Sequence, residues 1–243
     1  NDYFYGRDRE VERLLQILQK DKLVTLIGAS GSGKSSLINA GLIPRLEKGF
    51  LAQAGKQWAI CNFRPGISPF ENFAYSLTSE GCLTLDGKAN SEDYGLYLQI
   101  LEDLGSLGLT EIYSKSEINN KKNLLVVIDQ LEDLFIFNRF FNSNESEQDD
   151  LLFDIVARTA KIKDTAIYFA LVIQSEYFSN LSQYTKLQEI ISKSQYAIPN
   201  LTQLAISEII ENTFLNQGLG FTNDAFESIL EPLSTDSTLL PNF

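Results

Sequence analysis

The sequence has no histidine and no methionine among its 243 residues, and only two cysteines and one tryptophan. Without histidine, serine–histidine triads and imidazole acid–base chemistry are excluded from this segment. Zinc chemistry is excluded as well, because Cys61 and Cys82 stand at no metal-ligand spacing. Cys61 lies in an apolar run and is expected to be a reduced core residue, whereas Cys82 is expected to be an inert loop thiol. The missing initiator methionine and the abrupt end at Leu239-Leu240-Pro241-Asn242-Phe243 suggest a fragment of a longer protein. No apolar run approaches the roughly 18 residues of a bilayer span, and no secretory signal opens the chain, so the expectation is a soluble, cytoplasmic protein without membrane contact. Positive charge is scarce too. Twenty Lys and Arg against 32 Asp and Glu leave a net charge of −12, a poor generic match to nucleic-acid backbone, and no direct nucleic-acid binding is expected.

What the chain does have is Gly28-Ala29-Ser30-Gly31-Ser32-Gly33-Lys34-Ser35, a complete GxxxxGK(S/T) loop after the apolar run Leu23 to Ile27. Strand, loop and helix in that order form a phosphate cradle. Gly28, Gly31 and Gly33 fall where the backbone must turn tightly and leave its N–H groups free for a polyphosphate. Ser30, Ser32 and Ser36 belong to the same cradle, and the helix opening at Lys34 adds unpaired N–H groups and the positive end of its dipole. Lys34 is placed to reach the β- and γ-phosphates and Ser35 to ligand Mg²⁺. The plain alternative is a Gly/Ser-rich turn.

The periodicity predicts a helix over about 8–20 capped by Asp8, a strand at 23–27, and a phosphate-loop helix from 34 towards 46 that bends or ends near Pro44. A strand at 58–63 and a helix from Pro69 follow. Next come a polar turn near 86–92, a helix near 94–104 and a Lys/Asn-rich link at 114–123. Leu124 to Ile128 reads as a strand buried on both faces. Asn142 to Asp150 reads as a solvated acidic loop, followed by a helix over 150–162, strands at 166–173 and 195–198, and helices near 202–215 and 223–230. This alternation predicts a three-layer α/β/α sandwich with a mostly parallel five-stranded sheet. Residues 1–200 are expected to form the core, and 201–243 to begin a helical lid.

A phosphate loop needs a second carboxylate for Mg²⁺ at the end of a buried strand, and Asp129 follows the five apolar residues. Glu132 is the candidate to orient or deprotonate an attacking water, with Asp133 as the alternative; either acid could instead cap the next helix.

With these motifs, residues 3–241 resemble the STAND class of signalling NTPases, which contains the NACHT and NB-ARC modules. The likeness is strongest to a prokaryotic branch whose phosphate loop continues as Ser36-Leu37-Ile38-Asn39-Ala40-Gly41-Leu42-Ile43-Pro44-Arg45-Leu46. Phe4-Tyr5-Gly6-Arg7-Asp8-Arg9-Glu10 is similar to the signature that contacts adenine in that class, so the resemblance assigns Tyr5, Gly6 and Arg7 to the base. Asp129, Glu132 and Asp133 resemble the extended magnesium motif of NACHT domains, and Asn62 to Pro69 matches the branch pattern. Where the class carries an arginine that senses the γ-phosphate, this chain has Gln174. A neutral side chain there implies weak ATP sensing and slow hydrolysis. Pro241 resembles the proline that touches adenine from the helical region.

The resemblance implies an ATP/ADP-binding, slowly hydrolysing switch with Mg²⁺, self-association in the ATP state, and further sensor or effector domains. A scaffold that scarcely hydrolyses is the alternative. A small-molecule kinase is a weaker one, opposed by Gly6, Arg7 and the long C-terminal region. Glu132 in place of glycine and the lack of an NKxD motif disfavour a translational-type GTPase.

Overall fold

The computed structural model describes residues 6–79, 82–83, 91–119, 121–141, 146–199 and 203–216. Five strands, β1 (Leu23–Gly28), β2 (Trp58–Phe63), β3 (Asn123–Ile128), β4 (Ile167–Gln174) and β5 (Gln195–Ala197), lie in the order β2-β3-β4-β1-β5, and every pairing is parallel. β1 is buried at all six positions and β4 at seven of eight, as strands covered on both faces must be.

Successive side chains point to opposite faces, so each strand feeds two cores. Val24, Leu26, Leu125, Val127, Ala170 and Val172 pack with Val11, Leu14 and Leu18 of the helix Asp8–Asp21 and with Leu37, Ile38 and Leu42 of the phosphate-loop helix. Leu23, Ile27, Val126, Ile128, Phe169 and Leu171 pack against the helices Pro69–Leu77, Ser91–Leu104, Gly108–Lys115, Ser146–Lys161 and Thr185–Ser194. The result is the three-layer sandwich that the alternation predicts.

Several local features differ from expectation. Arg7 occupies the cap position of the first helix, and Asp8 is its first helical residue. The Asp8 carboxylate is drawn instead to the Arg45 guanidinium, and an acid in a first turn still meets the positive end of the dipole. Of the two outcomes expected near Pro44, a bend or an end, the phosphate-loop helix does not end there. It runs as Lys34–Ser36, a π-helical turn Leu37–Leu42, then Ile43–Glu47, with the Ile43 N–H bonding to Ile38 O. The wider turn falls just before the proline that cannot donate a helical hydrogen bond.

The helix Ser146–Lys161 begins inside the segment read as an acidic loop, and its Asp149 is buried. Acids there suit a helix start. Cys82 lies outside helix and strand but is buried like Cys61, and burial pushes the Cys61 thiol well above its ordinary value. Sequence periodicity did not reveal the helices Gly108–Lys115 and Thr185–Ser194 or the 3-10 stretch Ser175–Gln183. The predicted helix at 223–230, most of the turn at 86–92, and Tyr5 and Pro241 lie outside the described residues.

Candidate functional site

The order of the strands builds the site. β4 lies between β1 and β3, with Gly28 aligned to Gln174 and Ile128 to Leu171. Residues 28–35, 129–133 and 174 therefore meet at the carboxyl edge of the sheet, where ligands of open α/β sheets bind.

Within the loop, Gly31 and Gly33 hold φ of 73° and 82°, which favour glycine. Gly28 is needed for space: a Cβ there would stand 2.6 Å from Ser32 Oγ and 3.5 Å from Lys34 Cγ. Lys34 is buried, and its Nζ donates to Gly28 O at 2.9 Å and Ala29 O at 2.8 Å, so the loop folds around its own ammonium. Burial lowers the Lys34 pKa, opposed by the charges of Glu132 and then Asp129. Ser32 Oγ is buried without a partner among the described residues, an unmet hydrogen-bonding capacity inside the cradle. Ser30, Gly31 and Ser36 are exposed.

Ser35 Oγ donates to the Asp129 carboxylate at 3.0 and 2.9 Å, joining the start of the phosphate-loop helix to the end of β3. Asp129 also accepts the Gln130 N–H at 3.0 Å, and its own N–H bonds to Phe63 O at 2.9 Å. Glu132 is 2% exposed and accepts the Gln174 N–H at 3.1 Å. Asp133 is the first residue of the helix Asp133–Phe141; burial and the neighbouring Glu132 raise its pKa, while the Gly66 backbone and the Arg64 charge oppose the rise. The two acids thus face different surroundings, Glu132 towards Lys34 and β4, Asp133 towards the turn after β2.

Between them and Asp129 sits Gln130 at φ 55°, a left-handed conformation that costs a non-glycine residue about 1–2 kcal/mol. Nothing in the sequence marks it. It is held by the Leu131 N–H to Val172 O and the Asp133 N–H to Gln130 O, and it turns the chain so that the Asp129 and Glu132 charges both act on Lys34.

Arg7 is 5% exposed, and its Nη1 has no partner among the described residues. Burial lowers its pKa, opposed by Glu10 and by Tyr196 of β5. Gly6 turns at φ 80°. β5 leads to Ile198, whose Cβ lies 3.5 Å from a Cβ placed on Gly28, so this buried guanidinium and the loop share one side of the sheet edge. Sequence reading missed Arg64. It follows the last residue of β2, is 61% exposed, and puts Nε 3.9 Å from Asp129 Oδ2. Its only sequence signal was its place in the Asn62 to Pro69 pattern.

Among solved structures, the fold is similar to the Aeropyrum pernix ORC1 protein in complex with DNA, at 14% identity and TM-score 0.59 over 98% of this chain and 58% of that one. It is also similar to the Aeropyrum pernix ORC2 protein in its ADPNP-ADP complexes, at 13% identity and TM-score 0.54 over 87% of this chain and 52% of that one. The chain thus spans somewhat more than half the length of these structures, and at such identities the likeness is one of fold. No curated protein matches it in sequence. Among the described residues no helix is long and apolar enough to cross a membrane. The family model described as Novel STAND NTPase 1 matches residues 1–242, and the chain belongs to that family.

Proposed function

We propose that this chain is the regulatory ATPase module of a switch that binds ADP and ATP and hydrolyses ATP slowly. The observation that carries the reading is the Ser35–Asp129 hydrogen bond beside buried Lys34, with Glu132 acting on the same lysine. The backbone from Gly28 to Ser36 cradles the phosphates, with Ser30 and Ser32 in the loop. Lys34 exchanges its two carbonyl partners for the β- and γ-phosphates. Ser35 and Asp129 would supply hard oxygens to Mg²⁺, a cation that one or two protein groups suffice to hold beside a phosphate, so no cluster of three acids is needed. When bound, the metal neutralises charge on the phosphates.

Glu132 orients the attacking water. Asp133 is the alternative, beside the Gly66 backbone and the Arg64 charge of the neighbouring turn. Tyr5, Gly6, Arg7 and Pro241 serve the adenine side, where the unpartnered Arg7 Nη1 offers a buried donor. Residues 1–200 act as the core and 201–243 begin a lid over the nucleotide. In the full protein the ADP state holds a closed monomer, the ATP state associates with its own kind, and further sensor or effector domains read the change. A second reading, a nucleotide-binding scaffold with little hydrolysis, is favoured by the uncharged Gln174.

The test is to identify the nucleotide that co-purifies and to measure ATP turnover with Mg²⁺. Bound adenine nucleotide with slow turnover is expected. Bound nucleotide with no turnover favours the scaffold, and a folded chain that binds neither ADP nor ATP rejects both readings.

A further inference from the structure

Lys34 is enclosed by the loop, and the charges of Glu132 and Asp129 act on it. A nucleoside triphosphate brings one more anionic group than a diphosphate, and Gln174, at the place where a charge would meet it, has none. Arg64 is a cation at the same edge, held only loosely by the acids beside it, Asp129 and Asp133. Asp129, its ion-pair partner, already accepts Ser35 Oγ at 3.0 and 2.9 Å and the Gln130 N–H at 3.0 Å. At 3.9 Å and 61% exposure, the Arg64 contact with it is loose.

The backbone beneath Arg64 is the opposite of loose. Phe63 O accepts the Asp129 N–H at 2.9 Å, and Pro65 O accepts Asn72 Nδ2 at 2.9 Å. Gly66 holds φ 57°, and a Cβ on it would stand 3.1 Å from Asn72 Nδ2. A fixed turn carrying an exposed guanidinium suits a clamp, because only side-chain freedom is lost when an anion arrives and the planar fork fits a phosphate.

We propose that Arg64 is the cation for the terminal phosphate of a bound nucleoside triphosphate, leaving Asp129 as the nucleotide enters. The proposal rests on the nucleotide reading above and deepens it: the charge absent at Gln174 is supplied from the end of β2.

The experiment is titration of the chain with ADP and with ADPNP, a triphosphate that is not hydrolysed, both with Mg²⁺. Arg64→Ala should weaken ADPNP about tenfold, as loss of a charge-assisted hydrogen bond does, and leave ADP within about twofold. Arg64→Lys should recover part of the loss, because it keeps the charge without the fork. The Arg64 variants should melt with the wild type, since the side chain is exposed. Equal losses for both nucleotides, or no loss, overturn the proposal for Arg64. Wild-type protein that binds neither nucleotide overturns the nucleotide reading and this proposal with it.

Discussion

The Glu132 carboxylate is tied to the backbone of Gln174 by a 3.1 Å hydrogen bond, so the acid after β3 and the last residue of β4 form one unit although 42 positions separate them. Since Lys34 feels Glu132 more strongly than Asp129, that unit faces the phosphate loop. A base for water needs this placement, and a positioned acid–base group contributes about 10² to 10⁴ in rate. Glu132→Gln should therefore leave nucleotide affinity within about twofold and cut ATP turnover at least about a hundredfold. Turnover at the wild-type rate would move the role to another group.

The phosphate loop, all five strands and the Asp129 to Asp133 run were legible in the sequence because each is written locally: a glycine pattern, an apolar run, acids at fixed spacing. What was not legible depends on tertiary contact. Gln130 is an ordinary residue forced to positive φ by bonds to β4. Arg64 gains meaning only when β2 is laid beside β3, which aligns Phe63 with Ile128 and brings the guanidinium to Asp129. Asp8 looked like a cap until Arg45, 37 residues away, claimed its carboxylate. The short helix Gly108–Lys115 shows too few turns for its apolar spacing to stand out, although Leu109, Ile112 and Tyr113 are buried.

The Ser35–Asp129 pair should behave as one magnesium-binding device. Ser35→Ala and Asp129→Asn are each expected to weaken binding of ATP in Mg²⁺ about tenfold or more, and to have far less effect in EDTA, because the lost oxygen serves the metal. Equal weakening with and without the metal would show that these residues serve the phosphates or the fold instead.

Lys34 makes a prediction about stability. Burial lowers its pKa, so between the folded value and 10.5 the unfolded chain holds the extra proton and stability rises with pH; at neutral pH the enclosed ammonium is a cost in the empty protein. Lys34→Ala should fold, melt close to the wild type without nucleotide, and lose the upward slope of stability on the alkaline side. A ligand at a hundredfold excess over its Kd stabilises by about 2.7 kcal/mol, and that gain should vanish in the variant. A full nucleotide-dependent shift in melting temperature with Lys34→Ala would remove Lys34 from the phosphate contacts.

Thr25 in β1 is fully buried, between Leu171 and Gln195 in register, and its hydroxyl has no partner among the described residues. An unsatisfied buried polar group costs about 1–3 kcal/mol, whereas valine has nearly the same shape and nothing to satisfy. Thr25→Val should raise unfolding stability by about 1 kcal/mol with nucleotide affinities unchanged. Denaturant unfolding tests this, and a destabilised variant would mean that the hydroxyl bonds a group such as buried water.

Residue 174 offers the sharpest comparison with Arg64. Its Cα pairs with Gly28, which places it beside the phosphate loop, and its backbone is already fixed through Glu132. An arginine there would add a hydrogen bond to a charged group, worth about 1.5–3 kcal/mol against about 1 for a neutral one. Gln174→Arg should therefore raise the ATP/ADP affinity ratio several-fold, and in an Arg64→Ala background it should restore the preference that the first change removes, because one terminal phosphate can be met from either strand. If both cations reach that phosphate, their effects should also be less than additive when both are present, since the second meets an anion already neutralised. A ratio unchanged by Gln174→Arg in both backgrounds would place residue 174 away from the terminal phosphate. Rescue without any effect in the wild type would instead show that Arg64 already saturates the site.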